Sequence, residues 1–152
     1  MKKGFTLIEV IAAIAIFSIA ILAISMAFST SLNISQMNDI KQDTSQYAQA
    51  ITEKSKNLID AGSTKTYDDP IVFYFYDIDD INTCVENIFN SDDISGYKNQ
   101  NGNNEDGNKF KYAASIKIAE TDSSIYEVNV SVWKIGKETQ SKSVRDIYEG
   151  SD

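Results

Sequence analysis

Histidine is absent from this chain of 152 residues, and cysteine and proline occur once each. Each absence narrows the field. Without histidine the chain lacks the commonest general base at neutral pH and the commonest transition-metal ligand. No cysteine–base or serine–lysine arrangement at a recognisable spacing takes its place, so an enzymatic reading has little to stand on. A single cysteine, Cys84, excludes an intrachain disulfide, and the fold must be held by packing alone. Cys84 itself reads as a small buried hydrophobe, with an intermolecular bridge as the alternative. Basic residues are short as well: 14 Lys and Arg stand against 22 Asp and Glu, a formal charge of −8. Such a chain does not bind nucleic acid through its general field, which needs Lys and Arg to neutralise phosphates, and it matches an anionic lipid surface poorly. Proline and glycine are also missing from the whole of residues 5–61. Nothing in the backbone chemistry there breaks a helix.

The first part of that unbroken stretch is apolar. Val10 to Phe28 is interrupted only by Ser18 and Ser25, and Lys2 and Lys3 precede it. Basic residues ahead of an apolar run stay in the cytoplasm and send the C-terminal part across. The run exceeds the apolar core of about 7–15 residues in a secretory signal and reaches the roughly 20 that span a bilayer. A signal-peptidase site at Ser25-Met26-Ala27 is the alternative reading. Glu9 does not fit a plain anchor. A carboxylate at mid-bilayer costs about 2.5–3.5 kcal/mol, less near the helix start, so a partner cation is implied. The nearest candidate is a free amino group on a neighbouring copy or related subunit. Cleavage after Gly4 would create one at Phe5, and glycine lets the backbone lie extended in a protease cleft.

The run Gly4-Phe5-Thr6-Leu7-Ile8-Glu9-Val10 resembles the class III signal of type IV prepilins and type II secretion pseudopilins. The resemblance implies that a membrane prepilin peptidase cuts between Gly4 and Phe5 and methylates the Phe5 amine. It implies that Glu9 pairs with the N-terminal amine of an adjacent subunit, and that an inner-membrane assembly platform carries subunits from bilayer to filament. Where the best-known major pilins carry Gly and Pro in the membrane half, this chain has Ser18 and Met26, which leave the helix continuous. Ile14-Ala15-Ile16-Phe17-Ser18-Ile19-Ala20 resembles the minor pilin V and pseudopilin I group, as does Val130-Ser131-Val132-Trp133. The implied role is a minor subunit that primes assembly or sits at the tip.

Beyond the membrane the pattern becomes amphipathic. Met37, Ile40, Thr44, Tyr47, Ile51, Ser55 and Leu58 recur at spacings of three and four, one face of a helix. Gly62 supplies a C-cap. A helix from Phe5 to about Ala61 would be roughly 85 Å long at about 1.5 Å per residue. Strands follow. Ile71–Tyr76 is rich in β-formers. Phe110, Tyr112, Ala114, Ile116 and Ile118 alternate with polar or small residues, as do Tyr126, Val128, Val130 and Val132. A last strand near Ser141–Tyr148 and a short helix near Val85–Asn90 complete the expectation. The fold class is α+β: a long N-terminal helix laid on a small antiparallel sheet, the ladle that the resemblance implies. The expected organisation is a leader at 1–4, a membrane and filament-core helix at 5–32, its amphipathic continuation at 33–62 and a head at 63–152, outside the cytoplasm. Asn99–Asn108 reads as a polar surface excursion.

Within the head, Asp77, Asp79, Asp80 and Asn82 are weak candidates for calcium, a hard cation that takes several oxygens. They miss the EF-hand pattern, and Asp92, Asp93, Glu105 and Asp106 are further acidic candidates. Solvated loops are the plainer reading, and no cofactor is expected. Trp133 alternates with core-facing valines, which places it on the open face of the sheet as a contact residue. Three functions compete: a minor filament subunit, the repeating filament subunit, and a monomeric membrane-tethered binding module.

Overall fold

The computed structural model describes residues 6–62, 65–67, 69–90, 110–122 and 125–149. Its longest element, α1 (Leu7–Asp60), is the helix that the lack of proline and glycine predicts. It closes at Gly62, whose φ of 94° favours a residue without Cβ. There the Gly62 N–H donates to the Ile59 carbonyl at 2.9 Å and the Ala61 N–H to that of Asn57 at 3.1 Å. The chain divides into two units, residues 1–39 and 40–152. Every described residue of the first is exposed. The second holds the core.

From Ile40 onward α1 buries one face: Ile40, Thr44, Ala48, Ile51, Thr52, Ser55 and Ile59. This row is displaced from the expected stripe. Met37 is 40% exposed, and Tyr47 and Leu58 lie at the margins of the face rather than along its centre. Size explains the displacement. Ala48, Thr52 and Ser55 put small side chains on the face that meets a sheet carrying Phe73, Phe75 and Tyr112, and the bulkier Tyr47 ring packs beside it against Phe75 and Tyr112. The buried hydroxyls are satisfied locally. Thr44 donates to the Ile40 carbonyl at 2.8 Å, Thr52 to that of Ala48 at 2.8 Å and Ser55 to that of Ile51 at 2.7 Å. That removes the penalty of burying an unpaired hydroxyl.

The sheet has four antiparallel strands in sequence order: β1 (Ile71–Phe75), β2 (Tyr112–Asp122), β3 (Ile125–Lys134) and β4 (Lys142–Glu149). The alternations seen in the sequence are its two faces. Ile71, Phe73 and Phe75, then Tyr112, Ala114, Ile116 and Ile118, then Tyr126, Val128, Val130 and Val132, are all buried. They join the helix residues in one hydrophobic cluster. Full burial of a large aliphatic or aromatic side chain contributes about 1.5–3 kcal/mol.

A second helix, α2 (Ile78–Asn90), adds Ile81, Val85, Ile88 and Phe89 to the same cluster. It starts two turns before the expected Val85. The cause is Asp77, whose Oδ1 accepts the N–H groups of Asp79 at 3.0 Å and Asp80 at 3.4 Å, an N-cap. Asp80 reaches back to the Tyr76 N–H at 2.9 Å. Lys54 of α1 pairs with Glu86 of α2. Tyr67 ties the segment before β1 into place. Its N–H donates to the Ile118 carbonyl and its hydroxyl to that of Ile88, both at 2.8 Å.

Candidate assembly and processing segment

Gly4 and Phe5, the expected processing pair, lie outside the described residues. The described chain begins at Thr6, and α1 takes its first turn from Thr6 and Glu9. The Thr6 N–H and Thr6 Oγ1 both donate to Glu9 Oε2, each at 2.9 Å. This is half of a capping box, with Thr6 as N-cap and Glu9 three residues on. Thr-x-x-Glu is legible in the sequence, and reading Glu9 only as half of an ion pair overlooks Thr6. Glu9 heads a helix surface of Val10, Ala13, Ile14 and Phe17, all exposed.

That exposure sets the chemistry of the segment. Ile16, Phe17, Ile19 and Ile24 are each about two-thirds exposed or more. α1 is long and apolar enough to cross a membrane. Two of its hydroxyls fit an apolar surrounding because they find partners within the helix. Ser18 Oγ donates to the Ile14 carbonyl at 2.8 Å and Thr30 Oγ1 to that of Met26 at 3.0 Å. α1 runs through Ser18 and Met26 without a break.

Two of the acidic residues singled out in the head, Asp77 and Asp80, cap a helix. The carboxylates of Asp77 and Asp80 accept backbone N–H groups at the start of α2. Among the described residues no group of three or more His, Cys, Asp or Glu is placed to hold a metal. Asp92, Asp93, Glu105, Asp106 and the Asn99–Asn108 excursion lie outside the described residues. Cys84 is half-buried rather than fully buried, with Sγ at 4.0 Å from the Tyr74 carbonyl oxygen. Burial, with the Asp80 carboxylate second, pushes its thiol up to about 11.

Trp133 pairs in register with Ala113, one residue from the inward-facing Val132. It therefore stands on the sheet face away from the core, half-buried. Tyr74, also in register with Ala113, stacks on Phe110 with ring centroids 6.2 Å apart.

Residues 1–27 match the family model described as the prokaryotic N-terminal methylation motif. No curated protein and no solved structure gives a significant match to the chain. Pilins, which carry this motif, are structural proteins rather than enzymes. The chain therefore joins the N-terminal methylation motif of prepilin- and pseudopilin-like proteins to a pilin-like α+β fold, in which a long N-terminal helix packs on a four-stranded antiparallel sheet.

Proposed function

We propose that this chain is a minor subunit of a type IV pilus-like filament, close to the minor pilin V and pseudopilin I group. The observation that carries the reading is the exposed apolar surface of α1 with a carboxylate, Glu9, in its first turn. An apolar helix needs a bilayer or other helices around it, and a carboxylate there needs a cation. Prepilin peptidase cuts between Gly4 and Phe5 and methylates Phe5. The Phe5 amine of one subunit then meets Glu9 of its neighbour, while the inner-membrane platform transfers the helix from lipid to filament. The head faces away from the cytoplasm throughout. The uninterrupted helix through Ser18 and Met26 supports a minor position at initiation or at the tip.

Mass spectrometry of the mature N-terminus tests the processing step. A chain that begins at Phe5 with one added methyl supports it, and one that begins at Met1 or near Phe28 rejects it. Glu9→Gln tests the pairing, since unchanged incorporation into filaments would remove the assembly role. A second reading, the repeating subunit, is favoured by two turns of opposite charge at one end of the sheet, Asp77, Asp79 and Asp80 after β1 and Lys134, Lys137 and Lys142 around the turn from β3 to β4. Counting copies in purified filaments separates the two.

A further inference from the structure

We propose that the heads of neighbouring copies meet edge to edge, with the acidic turn beside β1 of one copy seated on the basic turn between β3 and β4 of the next. The inference rests on the second reading above, the repeating subunit, and specifies the partner as a second copy of this chain. Phe75 lies opposite Tyr112, and Tyr112 opposite Lys134. The turn that leaves β1 and the turn that leaves β3 are therefore at the same end of the sheet. They lie toward opposite sides of the sheet, two strand spacings or about 10 Å apart at β1 and β3 for strands spaced roughly 4.8 Å.

Their charges are opposite. The β1 turn carries Asp77, Asp79 and Asp80, all exposed. The bonds of Asp77 and Asp80 to backbone N–H groups fix their positions. Lys111 is held over the Tyr76 ring, 4.2 Å from its centroid. Across the sheet, residues 134–142 hold Lys134, Lys137 and Lys142 against one acid, Glu138. Glu138 turns back to accept the Gly136 N–H at 2.8 Å, and Lys137 and Lys142 are exposed. In a chain of net charge −8 this is a local excess of positive charge.

The two turns complement each other between copies. Made once between two copies, the contact joins unlike turns and leaves one acidic and one basic turn available. Repeated heterologous contacts form a ring where the rotation closes and a helical filament where it does not. Exposed ion pairs contribute little adhesion each. Their effect is to select the neighbour and set its register while the apolar helices supply the attraction.

The test uses the full chain, produced as an equal mixture of unlabelled and ¹⁵N-labelled copies. Membrane and filament fractions are treated with a carbodiimide, which joins a carboxylate directly to an amine. Crosslinks of mixed isotope that join Asp79 to Lys137 or Lys142 are expected. They should fall about fivefold or more at Asp79–Lys137 in the Lys134→Glu, Lys142→Glu double variant, which keeps both reacting groups and reverses the charge around them. They should persist, with the roles of positions 79 and 137 reversed, when Asp79→Lys is combined with Lys137→Glu. Asp77 and Asp80 are left unchanged because they hold the start of α2. Crosslinks between these positions confined to a single isotope, or mixed crosslinks only at other surfaces, overturn the inference. If filaments contain the chain processed at Phe5 without the edge crosslink, this contact fails alone. If the chain never reaches filaments, the assembly reading fails, and absence of the crosslink from membranes then removes the contact too.

Discussion

The phenol of Tyr112 donates to the carboxylate of Asp43 at 2.5 Å, so the first residue of β2 is tied to α1 at the edge of its buried face. Around this bond Tyr47 packs edge-on against both Tyr112 and Phe75, with ring centroids 4.8 and 5.3 Å apart. Burial first, then the bond to Asp43, raises the Tyr112 hydroxyl above the usual tyrosine range. Tyr47 and Tyr67 shift the same way, each chiefly through burial. A raised acid in the folded state adds stability that is complete below the unfolded value of about 10 and is lost as pH rises through the folded value. The urea midpoint should hold steady through neutral pH and fall once pH passes about 10. Tyr112→Phe should flatten that fall and remove about 1 kcal/mol at pH 7.

Ile51 and Lys54 are three residues apart on α1 and should respond very differently. Ile51 is fully buried within the cluster. Ile51→Ala should cost about 2–4 kcal/mol, because the cavity it leaves is walled by both helix and sheet. The Lys54–Glu86 pair is partly open to water, with side chains 26% and 48% exposed. Lys54→Met should change stability by less than about 1 kcal/mol. Chemical denaturation of the two variants under one set of conditions makes the comparison.

Cys84 should be slow to alkylate in the folded protein. A thiol pushed up to about 11 is almost entirely protonated at neutral pH, and the thiolate is the nucleophile. Iodoacetamide at pH 8 should modify native Cys84 about a hundredfold more slowly than the urea-unfolded chain. Equal rates would mean that the thiol is not held against the Tyr74 carbonyl.

Gly62→Ala isolates a backbone effect. Nothing lies within 4 Å of a Cβ built at Gly62, so the substitution meets no steric neighbour. The positive φ alone should cost about 1 kcal/mol, and Gly62→Asn should cost less because asparagine tolerates this region better.

The parts of the fold that rest on alternation were legible in the sequence. The inward rows of β2 and β3 could be named residue by residue, because a period of two admits only two faces. The buried face of α1 was legible only to within a neighbouring row. Spacings of three and four fit Tyr47 and Leu58 as well as Ala48 and Ile59, and the choice depends on the bulk of Phe75 and Tyr112 across the interface. The acidic run at Asp77–Asp80 hid a helix start, since the same carboxylates suit a cap and a cation. Tyr67 sits in a polar stretch with no periodicity, and its bonds to Ile88 and Ile118 depend on residues 21 and 51 positions away. At the N-terminus the motif was legible, while the capping contact of Thr6 was overlooked beside the intermolecular role of Glu9.

Because the strands follow one another across the sheet in chain order, each hairpin meets its partner with little search. The join from β2 to β3 is short, and that from β3 to β4 crosses one 3-10 turn. Short-range pairing of this kind speeds folding. β1 reaches β2 only after α2 and the residues that follow it, so that closure is the slow one. Doubling the length of that connection would cost only about 0.6 kcal/mol in closure entropy. The stretch between α2 and β2 can thus lengthen or shorten between related chains while the sheet that carries both charged turns stays the same.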